Sequence, residues 1–345
     1  MIDFSVAIRL YNGAPRLPLI LDALRQQQVD PELGWEIVIV DNNSTDNTRE
    51  IVHRYQRDWD LCPLRYVLET KQGASFARLR AIAESEGNWI GFLDDDNIPA
   101  ADWVQSACCF GQAHLRAAAF GGQIHGCYAS TPPDRFERIA PFIPVVEREE
   151  EICFTSGWRA MSNLVPPGAG LVIQRQAWLD CVPQQLSLRG PVGHSLAHKG
   201  EDVEALLYLK KAGWEIWFTP TMHIQHQIPS WRFERSYLKK FFQGIGLSRH
   251  TTRMVAIAPW QRPVMTLVFM ANDGRKLLRH WFKYRQSLKQ DVVAASELQL
   301  LMSSLWSPLH GLKQRWGKPL LGRKGGGSRT VRACAYCGDD RPVNT

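Results

Sequence analysis

The chain has 345 residues, 45% hydrophobic and 22% charged, with a net charge of +7, enough for one large domain or two modest ones, each with its own core. The balance is that of a soluble globular protein. No stretch reaches the roughly 18 apolar residues of a spanning helix, Val264 to Met270 being far too short, and the start lacks the basic region and cleavage site of a signal peptide, so a cytoplasmic protein is expected.

In chain order, the first half reads as alternating strands and helices. Val6 to Leu10 is a strand, Leu17 to Gln28 has helical apolar spacing, and Trp35 to Val40 is a β-branched run of the kind found in buried parallel strands. An Asp/Asn/Ser turn, Asp41 to Ser44, leads into a helix over Thr45–Arg57; Leu64–Leu68 is a strand, Ser75–Ser85 a helix and Trp89–Leu93 a strand. Strands separated by helices of this length give βαβ units with right-handed crossovers, hence an α/β doubly wound sheet.

From Phe120 to Ile173 prolines break the pattern repeatedly, and a long surface excursion with the character of a mobile lid is expected between strands near 119–128 and 169–174. A helix over Asp202–Ala212 and two strands, Trp214–Thr219 and Met222–His226, restore order. Beyond Ser230 the chain reads as helical and basic to about Trp316, with a Gly-rich flexible tail after it. The expected domains are 1–230, in two halves that meet near residue 118, then a helical extension over 231–318 and a tail over 319–345.

Charge follows the same division. From Arg232 onward there are 21 Lys/Arg against 6 Asp/Glu, whereas residues 1–231 hold 20 against 28. Such a split points to a catalytic body with a basic appendage that meets something anionic: lipid head groups, lipid-linked diphosphates or nucleic acid. Trp231 to Arg285 interleaves basic with apolar residues, as an interfacial helix does, although the same pattern suits packing on the body. The eight cysteines lie mostly in apolar runs, and Cys334-x-x-Cys337 lacks the second pair that a zinc site requires.

Ligands of doubly wound sheets bind beyond the carboxyl ends of the strands. Two strands here end directly in acid, Val40 in Asp41 and Leu93 in Asp94-Asp95-Asp96. Three adjacent carboxylates repel one another, so either a solvated turn or a hard cation such as Mg2+ or Mn2+, sharing a diphosphate, accounts for them. No Gly-x-Gly-x-x-Gly loop follows the early strands, which argues against a dinucleotide fold.

Val6-Ala-Ile-Arg-Leu-Tyr-Asn12, Val38-Ile-Val-Asp-Asn-Asn-Ser-Thr-Asp46, Gly91-Phe-Leu-Asp-Asp-Asp96, Gly168-Ala-Gly170 and Gly200-Glu-Asp202 together resemble the family 2 glycosyltransferases of the GT-A fold. The order and separation match over residues 4–226. The stretch through His226-Gln-Ile-Pro229 also resembles a subgroup linked to hormogonium polysaccharide synthesis. The resemblance implies a GT-A type, mostly parallel sheet with a Rossmann-like nucleotide half, and inverting transfer of a sugar from a nucleotide-sugar donor, UDP-linked by expectation, to a glycan or lipid-linked glycan.

It also implies roles. Asp41 would bind the nucleoside, with Tyr11 against the base; Asp94 would reach the ribose or donor sugar, with Asp95 beside it; Asp96 would ligate Mn2+ or Mg2+, with His226 completing the metal or diphosphate site; Asp202 would be the general base. Arg78 would reach the donor, although Ala77-Arg78-Leu79 lacks the asparagine common in relatives, and Arg9 stands where proline is common. Gln-x-x-Arg-Trp, the mark of processive members, is absent, so one sugar per encounter is expected. Trp158 is the candidate acceptor platform. Two other readings remain: a sugar-phosphate nucleotidyltransferase, disfavoured by the weak loop Asn12 to Arg16, and a non-catalytic membrane- or RNA-binding protein on the same scaffold. Contact with anionic membrane is expected, and none with nucleic acid.

Overall fold

The computed structural model describes residues 1–157, 162–188, 190 and 199–316. Trp158, Cys334, Cys337 and the tail over 319–345 lie outside the described residues.

Strands β1 (Phe4–Leu10), β2 (Trp35–Asp41), β3 (Leu64–Leu68) and β4 (Trp89–Asp94) run parallel in the order β3-β2-β1-β4. Period-two alternation sends Val6, Ile8, Ile37 and Ile39 to one core layer and Ala7, Val38 and Val40 to the other. Both faces of β1, β2 and β4 are covered, which is why these strands read as largely apolar runs, whereas the edge strand β3 is half-buried to exposed. Helices α1 (Leu17–Arg25) and α2 (Thr48–Arg57) cover the first layer. In α1, Leu17, Ile20, Leu21 and Leu24 are spaced to form one buried stripe. Helix α3 (Ala74–Glu84) covers the second layer through Ala77, Ala81 and Ile82.

The sheet continues with β5 (Asn97–Pro99), helix α4 (Trp103–Ala113), β6 (Ala117–Tyr128), the short β7 (Ile152–Cys153) and β8 (Val172–Gln174). Helices α5 (Arg175–Cys181) and α6 (Glu201–Lys211) precede β9 (Glu215–Ile228), and the spatial order beyond β4 is β8-β6-β9-β5. Strand β8 is antiparallel to both neighbours, whereas β6 and β9 run parallel.

Two expectations are revised. The strands expected over 214–219 and 222–226 are one strand, β9, interrupted by a register shift opposite Gly121 and Gln123. Pro220 cannot donate to the ladder, and the bulge accommodates it. A Cβ at Gly122 would stand 2.3 Å from the Met222 carbonyl oxygen, so only glycine fits there. The proline-rich excursion, in turn, is not all surface: Phe136, Ile139 and Ile143 are buried in a third core with Leu238, Phe242 and Val293. Arg138 pairs with Glu297 and Arg135 with Asp291, which fasten the segment to the C-terminal helices.

Those helices are α7 (Arg235–Val255), α8 (Arg262–Tyr284) and α9 (Val292–Trp316). Helix α7 supplies Leu238, Phe241 and Phe242 to the third core and α9 supplies Val293 and Leu300. Among α8 residues only Asp273 is buried. No helix among the described residues is long and apolar enough to cross a membrane.

Candidate active site

Register fixes the rim. Leu10 of β1 pairs with Asp41 of β2, and Arg9 pairs with Asp94 of β4, so the two acid-bearing strand ends flank the end of β1. The opposite end of the sheet holds another buried acid, Glu36, whose carboxylate accepts from Ser5, Arg65 and the Glu86 amide. Its partners saturate it, so that end is structural.

Asp41 is buried, and one carboxylate oxygen accepts from the Ser44 amide at 2.8 Å while the other accepts from the Tyr66 hydroxyl at 2.7 Å. Burial and then this carboxylate push the Tyr66 phenol well above its usual range. The turn is held to its neighbours: Asn12, at φ 52°, donates its amide to Ser44 Oγ and accepts from Thr45, and Asp46 accepts from the Ala14 and Thr48 amides. Asn42 donates to the carbonyls of Glu69 and Lys71 and accepts from Gly73, which closes the β3–α3 loop over the rim. Tyr11 lies half-buried between these turns.

The carboxylates of Asp94, Asp95 and Asp96 diverge. Asp94 accepts from Arg9 at 2.7 Å. Asp95 pairs with Arg16; burial, then Asp96, push its carboxyl up to about 6. Asn97 closes the turn, accepting from the Asp94 amide at 3.2 Å and donating to Asp96 Oδ1 at 2.9 Å. Its pairing with His226 in the β5–β9 register brings β9 beside Asp96. Asp96 Oδ2 then lies 3.6 Å from His226 Nε2 and 2.5 Å from Arg232 Nη2. Burial works to raise the Asp96 carboxyl, but the Arg232 guanidinium that donates to Oδ2 opposes it, and the carboxyl is held below its usual range.

The pair Asp96 and His226 fits a divalent ion. His226 Nδ1 lies 2.9 Å from the Pro144 carbonyl, which only accepts, so Nδ1 carries the hydrogen and Nε2 offers its lone pair toward Asp96. Ligands about 2.1 Å from one ion lie at most about 4.2 Å apart, and 3.6 Å is within that span. Among the described residues no group of three or more His, Cys, Asp or Glu is arranged to hold an ion. Two such ligands would leave room for the phosphate oxygens and water that a divalent ion takes in phosphate chemistry.

Asp202 enters from α6. Gly200, at φ 99°, turns the chain into the helix, and Asp202 sits in the first turn, where the helix dipole favours a carboxylate. A Cβ on Gly168 would fall 2.5 Å from Asp202 Oδ2 and 3.4 Å from Arg78 Nη2, so glycine there gives the carboxylate its space. Arg78 is 2% exposed, stacks over Phe92 with Arg9 on the same ring, and lies 3.8 Å from Glu201. Its Nε and Nη1 are buried with no partner, as is Arg9 Nε. Burial, then Arg9, pull Arg78 down to about 10; burial, then Asp202, raise Glu201. Lys199 shares the field of Asp94, Glu201 and Asp202, and burial, then Arg232, push it down to about 8.

The residues singled out from sequence therefore fall into two linked groups: Tyr11 and Asp41 at the turns beyond β1 and β2, and Arg78, Asp94, Asp95, Asp96, Asp202 and His226 around the ends of β4, α6 and β9. Sequence reading missed Lys199, Arg232, Tyr66 and Asn97. Asn97 follows the acid triplet directly and was findable as an Asx turn; Arg232 was hidden in a basic stretch.

The model of glycosyl transferase family 2 matches residues 5–161. Succinoglycan biosynthesis protein ExoM of Rhizobium meliloti is 26% identical over 231 residues, 66% of this chain and 67% of that one. Three relatives that are 31–34% identical are spanned over only 20–40% of their own length. Among solved structures, the mannosyltransferase PcManGT from Pyrobaculum calidifontis, in complex with GDP-Man and Mn2+, superposes at TM-score 0.57 with 16% identity, covering 90% of this chain and 87% of that one. S. aureus TarS 1–349 in complex with UDP-GlcNAc superposes at 0.53 with 14% identity, covering 92% and 93%; these two likenesses bear on the fold. The acid-ended strands lie within the segment that is similar to glycosyl transferase family 2, residues 5–161, and the two superpositions give the chain a GT-A fold.

Proposed function

We propose that the chain is an inverting, metal-dependent, non-processive glycosyltransferase that moves a sugar from a nucleotide-diphosphate donor, UDP-linked, to a glycan or lipid-linked glycan. The observation that carries the reading is the convergence of Asp41, Asp94, Asp96 and Asp202 on one end of the sheet, with buried cations between them. Asp41 and Tyr11 would take the nucleoside, while Arg78 and Lys199 face the anionic donor with donor groups that the protein leaves free on Arg78. Asp96 and His226 would hold Mn2+ or Mg2+, which neutralises the charge that develops on the leaving diphosphate. Asp202 would accept the proton of the attacking hydroxyl from the side opposite the leaving group; a single displacement of this kind inverts the anomeric carbon and needs no covalent intermediate. The exposed apolar and basic face of α8 supports peripheral contact with anionic membrane, where a lipid-linked acceptor would lie.

Thermal shift with UDP, GDP and their sugars, with and without Mn2+, tests the donor. Metal-dependent stabilisation by one of them is expected, and none by any would sink the reading. Asp202→Asn should keep donor binding and lower transfer by about 100-fold or more; lost donor binding would show that Asp202 has another role.

A further inference from the structure

The Arg232 guanidinium stands between the two groups that fit a metal. Its Nη2 donates to Asp96 Oδ2 at 2.5 Å and its Nη1 lies 2.7 Å from His226 Nε2. These are the same two atoms, on the same lone pairs, that a divalent ion takes. A guanidinium is planar with parallel N–H groups, so it spans two acceptors 3.6 Å apart as a fork. The remaining nitrogen of Arg232, Nε, is buried with no partner, and the neighbouring Lys199 carries a like charge into the same field. Arg232 thus satisfies Asp96 and His226 well and is itself held with one donor unmet. The arginine comes from the turn after β9, ahead of α7 and outside the sheet, so it can leave without breaking the fold.

We propose that Arg232 is a built-in counter-ion of the Asp96–His226 pair, which competes with the divalent ion for both ligand atoms and keeps the metal affinity of the donor-free protein low. This rests on the glycosyl-transfer reading only for its consequence: a diphosphate gives the displaced guanidinium a new acceptor, so metal and donor load together.

The test uses the full chain and Mn2+ alone, with no nucleotide, and follows free Mn2+ by electron paramagnetic resonance. Arg232→Gln should bind Mn2+ at least tenfold more tightly than the wild type, and the bound ion should show a histidine nitrogen coupling that Arg232→Gln/His226→Ala lacks. Arg232→Lys keeps the charge but cannot fork across both atoms, so it should bind Mn2+ at least threefold more tightly than the wild type; a Lys variant no tighter than wild type would reduce the effect to net charge and overturn the proposal. Equal affinity of wild type and Arg232→Gln would also overturn it. Titrating UDP and GDP into the same samples separates the two readings. If no sample binds nucleotide while the Mn2+ gain persists, glycosyl transfer fails and the competition stands.

Discussion

Lys199 stands over the Phe241 ring at 3.8 Å, within the field of Asp94, Glu201 and Asp202. Burial pushes its ammonium down to about 8, with Arg232 as the next cause. The charged form therefore dominates at pH 7 and the neutral form at pH 9. A diphosphate binds the charged form better, so its affinity is full below pH 8 and is lost as the pH rises through that value. Between pH 7 and 9 the affinity for nucleoside diphosphate should fall about tenfold, the ratio of the charged fractions, as read by calorimetric titration. Arg stays charged throughout, so Lys199→Arg should flatten the profile; an unchanged slope would show that Lys199 does not face the diphosphate. The contrast between Lys199 and Asp41 explains what sequence discloses at this scale. Asp41, Asp94 and Asp96 were legible because an acid at the end of an apolar strand has few structural reasons to be there. Lys199 and Arg232 look like any surface cation in a chain with 41 Lys/Arg, and only the fold puts them among carboxylates.

At the scale of elements, β1, β2 and β4 were legible because strands buried on both faces read as apolar runs, and the edge strand β3 and helices α1 to α3 follow from the strand–helix alternation around them. The β9 strand was not, since Pro220 looks like a break unless a bulge absorbs it. Nor was the burial of Phe136, Ile139 and Ile143, whose partners lie about 100 or more residues later in α7 and α9. Helix α8 is attached differently from these two. Its one buried residue is Asp273, which accepts two hydrogen bonds from Arg253 of α7, at 2.5 and 2.9 Å. Breaking such a pair leaves a buried charge unopposed, here with Arg249 as a second cation nearby. Asp273→Ala should cost about 3–5 kcal/mol, measured by denaturant unfolding. It should also open the connections on either side of α8 to limited proteolysis. A double change to apolar residues, Arg253→Met with Asp273→Leu, should recover most of that loss, because removing both charges removes the unpaired one. No recovery would mean that the pair orients α8 by geometry rather than by charge.

Over the whole molecule the charge is polarised, and α8 is where the basic end turns apolar outward. Trp260, Val264, Leu267, Val268, Leu278 and Phe282 are each more than half exposed, and within α8 they recur at helical spacing along one face. The helix carries five Lys/Arg and a single acid, the buried Asp273, so its outer surface has no anion to offset them. An apolar stripe bordered by cations suits an anionic bilayer: each Lys or Arg at such a surface contributes about 1 kcal/mol, and each buried Leu or Val about 1.5–3 kcal/mol. The full chain should therefore co-sediment with vesicles containing phosphatidylglycerol and not with pure phosphatidylcholine. Raising the salt from about 0.1 to 1 M shortens the screening length from about 10 to 3 Å and should release much of the bound protein. Leu267→Glu/Val268→Glu should weaken vesicle binding by about 100-fold, given about 1.4 kcal/mol per factor of ten, while leaving nucleotide affinity unchanged because α8 contributes nothing to the rim. Binding that ignores both lipid charge and the double substitution would remove the membrane from the account. If the exposed stripe instead pairs two copies of the chain, the same double substitution would convert a dimer to a monomer in analytical ultracentrifugation, with vesicle binding absent from the start.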